Sequence, residues 1–415
     1  MRISLGSLGP TLRHATAGVL ALASLWVPGG ARAAGAPPAS EAQRLAFAQR
    51  YHATQHGGIV RAANAAISCR AAPAAGATPV CPSVRQGKAA VNNEFDMFYV
   101  DVDVDPNTYN SSSAEVRLPQ GAQVSYARLY WGGNLRVGEQ KPPKDNGRVL
   151  LAEPGGEYKA VLADTVVGHR VAQGADAFQA SADVTDLVRD SGTGLYTVAQ
   201  INVAMGRSAA GAWGGWTLVV AYENPAEPLR DLSLWDGFDT LDAAAGKELR
   251  LLGLDIPPNA SGRAGLVGYD GDRGRTGDSL MFSTGGRAAS PLTDPVNPSD
   301  DVLNSTISEP GEAPAARAPA YVNTLGYDSD VFDLGGGLQR GGDQLAVRLV
   351  SPRDAAWAGA LFVAVDTRKK QSGAFPHVPS ATVSEETAPC TSQNPTTDPG
   401  SCTSPSPWTA ASPAS

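Results

Sequence analysis

The chain has 415 residues, with 33 Lys and Arg against 41 Asp and Glu and a formal charge of −8. No cluster of basic residues interrupts that balance, which excludes a nucleic-acid partner, since phosphate backbones are held by clustered Lys and Arg, and leaves nothing to grip an anionic membrane surface. The 46 Gly and 31 Pro supply turns for many short strands and argue against alternating βαβ units.

Basic Arg2 and Arg13, an apolar run from Ala15 to Val27 and the small-x-small string Ala31-Arg32-Ala33 make a secretory leader over residues 1–33. The run is shorter than the roughly 20 residues a membrane-spanning helix needs, and Pro28-Gly29-Gly30 follows it. Cleavage after Ala33 is expected, leaving no membrane span. It removes three Arg and takes the formal charge from −8 to −11.

Residues 34–93 read as a short helix and a disulfide loop. Ser40-Glu41-Ala42-Gln43 has capping-box spacing, and Leu45, Phe47, Ala48 and Tyr51 follow at helical intervals. The helix is expected to end near Gly57-Gly58. Four cysteines suit an oxidising compartment: Cys69 and Cys81 stand twelve positions apart, as do Cys390 and Cys402. Local pairing is the economical reading, and neither pair has the spacing of a zinc site.

Residues 94–369 carry strand-length runs bounded by Gly, Pro, Asn and Asp, such as Phe98–Val104, Val124–Trp131, Trp216–Tyr222, Leu249–Leu254 and Leu361–Val365. Only Ala182–Asp190 resembles a further helix. The expected class is all-β, a single sandwich or jelly roll with the short N-terminal helix before it. Residues 370–415, rich in Ser, Thr and Pro, read as a disordered tail with too little apolar surface to offset its ordering entropy. The sequence reaches Ser415 without a hydrophobic wall-sorting stretch, so release or loose surface association is expected.

Catalytic motifs are incomplete. His52 and His56 have the two-histidine spacing of zinc metalloproteases, but Ala53 stands where the general base belongs. Gly277-Asp278-Ser279-Leu280 spells a serine-esterase signature without the later Asp-x-x-His, and Ser279 reads more simply as the start of a strand. Paired carboxylates could serve a glycosidase, but sequence cannot place two at working distance. The acidic strings are more informative. Asp101, Asp103 and Asp105 alternate with Val102 and Val104, which on a strand puts three carboxylates on one face. Asp270, Asp272 and Asp278, then Asp328, Asp330 and Asp333, repeat the theme. Oxygen-only donors of this kind suit calcium, so Asp101, Asp103, Asp105, Asp270 and Asp272 are the candidate ligands of a structural Ca2+.

Tryptophan offers a second binding chemistry, since aromatic faces pack on sugars. Trp213, among Gly211, Gly214 and Gly215, is the one expected to be exposed. Asn110-Ser111-Ser112, Asn259-Ala260-Ser261 and Asn304-Ser305-Thr306 match the glycosylation sequon and read as polar turns.

Four strings in combination carry a resemblance: Asp96 to Pro106 (DMFYVDVDVDP), Ala127 to Gly133 (ARLYWGG), Asp183 to Val188 (DVTDLV) and Gly215 to Glu223 (GWTLVVAYE). Together, over Glu94 to Thr367, they resemble an uncharacterised extracellular β-sandwich module of secreted and cell-surface proteins, common in actinobacteria and often preceding repeated surface domains. The resemblance implies no catalytic residues, and the repeats are missing here. The expectation is a secreted, non-catalytic surface or matrix module that binds an extracellular polymer or protein. A secreted hydrolase of carbohydrate or ester substrates is the alternative, with a structural coat protein as a third class.

Overall fold

The first strand overturns the expected helix. In a computed structural model, which describes residues 41–42, 45–70, 80–241, 246–310 and 316–368, Leu45–Ala65 is one strand of 21 residues, β1. The spacing of Leu45, Phe47 and Tyr51 that read as a helical face instead accompanies register shifts between Leu45 and Ala48 and between Gln49 and Tyr51. Irregularities of this kind break strict alternation and imitate a helical period over a few residues. Helix formation would also have deprived two other strands of one neighbour each, because β1 pairs with both.

Those partners belong to a ten-stranded sheet. Its strands after β1 are Gln123–Asn134 (β2), Thr165–Ala172 (β3), Ala175–Asp183 (β4), Gly214–Glu223 (β5) and Leu229–Thr240 (β6). Gly262–Tyr269 (β7), Ile307–Ser308 (β8), Tyr327–Asp333 (β9) and Trp357–Asp366 (β10) complete it, in the order β8-β9-β7-β10-β6-β1-β5-β2-β4-β3. β1 pairs antiparallel with β6 through Leu45–His56 and with β5 through Gly57–Ala65. The sheet is therefore two halves joined along one strand that changes partner at Gly57. That residue has φ +138°, and a Cβ there would lie 2.0 Å from the Tyr222 carbonyl oxygen, so the crossing depends on glycine.

Each half buries one face against a smaller sheet. Leu129 and Trp131 of β2 and Trp216, Leu218 and Val220 of β5 share a core with Val116, Leu151, Tyr196 and Val198, which come from a five-stranded sheet that includes Ser111–Val116, Arg148–Ala152 and Gly194–Ala199. Leu266, Leu361, Val363 and Val365 of the other half pack with Leu249, Phe282, Leu345 and Val347 from a four-stranded sheet that includes Lys247–Ile256, Ser279–Thr284 and Gly342–Val350. The remaining faces meet each other. Tyr130 and Val219 join Phe238, Tyr269, Tyr327 and Trp357 in a third core, where Phe238 stacks on Trp357 at 5.1 Å and Trp213 lies 5.8 Å from Tyr269. In place of one pair of sheets, three main apolar cores separate four layers of strands.

Polar groups also cross the central interface. Asp236, 2 % exposed, accepts two 2.8 Å bonds from Arg50 and one of 2.9 Å from the Tyr130 hydroxyl. Arg128, buried beside it, donates to Ser181 and forks onto Asp164. Gln179 of β4 donates to the carbonyl oxygens of Gly237 and Gly359 on the opposing strands. Burying these ions is tolerable because each has several partners.

Helix α1, Cys81–Arg85, opens with proline at its start, and α2, Thr185–Ser191, falls where the second helix was expected. Cys69 and Cys81 form the expected disulfide, at a Cα separation of 5.8 Å. The expected leader of residues 1–33, the expected tail of residues 370–415 and the expected pairing of Cys390 with Cys402 fall outside the described residues. Among the described residues no helix is long and apolar enough to cross a membrane.

Candidate functional site

The first acidic string does not lie on a strand. The strand at Met97–Tyr99 stops before Asp101, and the chain then turns, so the expected one-sided row of carboxylates does not form. The Asp101 carboxylate accepts from the Ser111 hydroxyl at 2.7 Å. Asp103 accepts from the Asp105 amide and the Thr108 hydroxyl, each at 2.9 Å, and from the Tyr158 hydroxyl. Asp105 accepts from the amide and side chain of Asn107. Burial alone would raise the Asp103 pKa, but the bonds from Tyr158, Ser111, Asp105 and Thr108 hold it below the usual carboxylate range. These residues organise a turn.

Asp270 and Asp272 have a different setting. They begin the loop that leaves β7, and Asp278 ends it as the chain enters the strand Ser279–Thr284. Pairing of β7 with β9 brings Gly268 opposite Asp328. Asp328 and Asp330 alternate along β9 with Tyr327, Ser329 and Val331, and so project away from the hydroxyls of Tyr327 and Ser329 that bond Thr217. The segment from Asp301 to Ser308 covers them, and Asp354 approaches from the chain before β10. Seven aspartates thus surround one region. Asp278 is 1 % exposed, Asp328 and Asp330 are 0 %, and Asp270, Asp272, Asp301 and Asp354 are each 7 %.

At least one oxygen of each carboxylate is anchored. The Leu303 amide donates to Asp278 Oδ2 at 2.5 Å, Gly274 N–H to Asp301 Oδ2 at 2.9 Å and Thr306 N–H to Asp328 Oδ1 at 3.0 Å. Asp330 Oδ1 accepts from the hydroxyls of Thr306 and Ser308. Asp354 Oδ2 accepts from the Asp272 amide, and Asp270 Oδ1 from Asn92. Arg275 pairs with Asp272 Oδ2 at 3.0 Å. The second oxygens differ: Asp272 Oδ1, Asp278 Oδ1, Asp301 Oδ1, Asp328 Oδ2 and Asp330 Oδ2 are buried without a hydrogen-bond partner. Burial, reinforced by the charge of Asp354, pushes Asp272 up to about 7, and burial takes Asp278 to about 7 and Asp354 to about 6. Burial likewise raises Asp328, with Asp330 beside it adding to the effect.

Gly271 permits the closest approach. A Cβ there would stand 2.4 Å from the Leu303 carbonyl oxygen and 2.5 Å from Asp328 Oδ2. No three His, Cys, Asp or Glu side chains among the described residues converge on one point as metal ligands. An ion in this region would therefore need backbone or water oxygens beside its carboxylates. Asp301 and Asp354 escaped sequence reading because Asp301 adjoins only Asp300 and Asp354 stands alone in the chain. Asn304-Ser305-Thr306, read as a polar turn, is buried and supplies donors to the cluster.

The other candidates separate. On β1, His52 lies 3.1 Å from both oxygens of Asp231 and His56 contacts the Glu227 carbonyl, so the pair shares no centre. Ser279 begins its strand as expected, and its hydroxyl donates to the Ser299 carbonyl at 2.7 Å. Asp333, at the end of β9, caps Gly335. Trp213 is not exposed: it is fully buried between the two halves, and Trp131, Trp216 and Trp357 are buried as well. The neighbouring glycines serve close packing, since a Cβ on Gly214 would meet the Gly132 carbonyl oxygen at 2.7 Å and one on Gly215 the Tyr327 ring.

A cleft of about 470 Å3 opens beside the partner change of β1, lined by Gly58–Arg61, Glu115, Arg117–Pro119, Glu227, Arg230 and Ser261–Arg263. Its walls carry guanidinium–carboxylate pairs: Arg117 with Glu115 and Arg230 with Glu227, each at 2.7 Å. Arg61 donates to the Ser308 carbonyl at 2.6 Å and lies 4.0 Å from Glu309. The cleft therefore presents hydrogen-bond donors and acceptors side by side, with little net charge. Compared with family models, with curated proteins and with solved structures, the chain finds no match.

Proposed function

We propose that the protein is an exported, non-catalytic module of the cell surface or extracellular matrix, and that the cleft beside Gly58–Arg61 receives its polymer or protein partner. The observation that carries this reading is the cleft itself. It lies at the junction of two halves, where ligand sites are common, and its paired guanidinium and carboxylate groups match a neutral, hydroxyl- or amide-rich ligand. The leader at residues 1–33 and the Cys69–Cys81 disulfide suit a protein that works outside the cell. The resemblance of Glu94 to Thr367 to an extracellular module points the same way. A hydrolase reading draws on the paired carboxylates of the aspartate cluster, but those side chains are buried and none of them lines this cleft.

The test is retention of the mature chain, residues 34–415, on insoluble cellulose, chitin and peptidoglycan and on immobilised collagen. Retention on one of them, abolished by Arg117→Glu at the cleft rim, is expected. Release of reducing ends or hydrolysis of a p-nitrophenyl ester would overturn the reading in favour of a hydrolase. So would retention that Arg117→Glu leaves untouched, which would move the partner elsewhere.

A further inference from the structure

We infer that the region enclosed by the Asp270–Asp278 loop, the Asp301–Ser308 segment, β9 and Asp354 is a divalent-cation site suited to calcium, centred on Asp278, Asp328 and the Leu303 carbonyl. The reading is independent of the partner proposed for the cleft.

The geometry around Leu303 is the starting point. Its amide fixes Asp278 through Oδ2, and its carbonyl oxygen lies with Asp328 Oδ2 against the bare α-carbon of Gly271. Asp278 Oδ1 and Asp328 Oδ2 have no hydrogen-bond partner, although the two residues are 1 % and 0 % exposed. Asp272, Asp301 and Asp330 each add another buried, unpartnered oxygen nearby. Carboxylates held this way can be stabilised by protons or by a cation. A proton bridges at most two oxygens at a time, and several unpartnered oxygens lie together here. A cation uses the lone pairs directly.

Charge points the same way. The loop contributes Arg273 and Arg275 against seven aspartates. Arg275 is spent on Asp272, while Arg273 donates to the carbonyls of Gly87, Asn304 and Val322. The donors are all oxygen, without His or Cys, which selects a hard ion. Because no three acidic side chains converge, the ion must accept carbonyl and water oxygens in irregular geometry. Calcium does so readily, whereas magnesium demands a near-octahedral shell. Each side chain is already held by its anchored oxygen, so binding needs little reordering.

Calcium binding to the mature chain decides the matter. After exhaustive dialysis against EDTA, calcium is titrated in by calorimetry, bound metal is measured by mass spectrometry, and melting is followed with and without 1 mM CaCl2. At least one ion per chain and a melting temperature raised by several degrees are expected, because a ligand specific for the folded state stabilises it by mass action. Asp278→Asn and Asp328→Asn should each weaken the dissociation constant tenfold or more, while Asp103→Asn leaves it unchanged. Absence of bound calcium in the wild-type chain, with no shift in melting, would overturn the proposal whatever the variants do. Binding lost in Asp103→Asn but kept in Asp278→Asn and Asp328→Asn would also overturn it, by placing the ion on the 101–105 turn.

Discussion

Replacing Gly57 by alanine tests whether the change of partner along β1 is what joins the two halves. At φ +138° an L-residue is strained by about 1–3 kcal/mol. The new methyl group would also stand 2.0 Å from the Tyr222 carbonyl oxygen and 2.9 Å from its carbon. Those are backbone atoms of the ladder in which Gly57 pairs with Glu223 and Gly58 with Tyr222, so relief requires β1 and β5 to part locally. Losing one or two ladder bonds there adds about 1 kcal/mol each, for a total on the order of 4 kcal/mol. Gly155→Ala is the control: its φ is +71°, and a Cβ there meets nothing within 4 Å, so only about 1 kcal/mol of backbone strain is expected. Urea unfolding of both variants, followed by tryptophan fluorescence and far-ultraviolet circular dichroism, gives the comparison. Equal losses in the two variants would refute the steric argument. A Gly57→Ala profile split into two transitions would mean that the halves fold separately once the crossing is disturbed.

Other consequences are open to measurement. Cys69→Ser with Cys81→Ser should cost about 3 kcal/mol by the loop-entropy model for a twelve-residue separation, read as a shift of the urea midpoint. Arg128→Met removes the side chain that forks onto Asp164 and lies 3.5 Å from buried Asp236, and a loss on the order of 3 kcal/mol is expected because Asp236 keeps its charge. A loss under 1 kcal/mol would show that Arg50 and Tyr130 suffice. Trp213→Ala empties the central core between the halves and should cost about 3–5 kcal/mol. Hydrogen bonds overcome burial to depress the pKa of Asp103, so its contribution is present above the ordinary carboxylate pKa and is lost as pH falls through the lower folded value. Asp103→Asn should flatten the loss of stability below about pH 4, and an unchanged acid limb would contradict it.

The all-β class was legible because its signals are local. Val124–Trp131, Trp216–Tyr222, Leu249–Leu254 and Leu361–Val365 all lie within strands, since each is an apolar run between turn residues. Trp213 and Trp216, three positions apart, enter different cores. What sequence reading could not show was the second burial: both faces of β2 and β5 are covered, so glycines beside Trp213 that read as exposure are packing devices. The segment Leu45–Ala65 was misread because its register shifts disturb alternation at the positions where a helix would be judged. At the candidate cation site, Asp270, Asp272, Asp278, Asp328 and Asp330 were visible as strings. Asp301 and Asp354 join them through the bridge of Asp278 with Asp301, the bond from the Gly274 amide to Asp301 and the bond from the Asp272 amide to Asp354, which are products of tertiary pairing. The 101–105 string shows the converse, since perfect alternation there ended in a turn.

The place of β1 in the sheet has a bearing on how the chain acquires its structure. Its two ladders join residues far apart in the chain, Gly58 with Tyr222 and His56 with Leu229. Loop closure over such separations is slow, so neither half can close early around a finished partner. The same arrangement makes the two halves interdependent afterwards, because loss of β1 would strip a neighbour from β5 and β6 together.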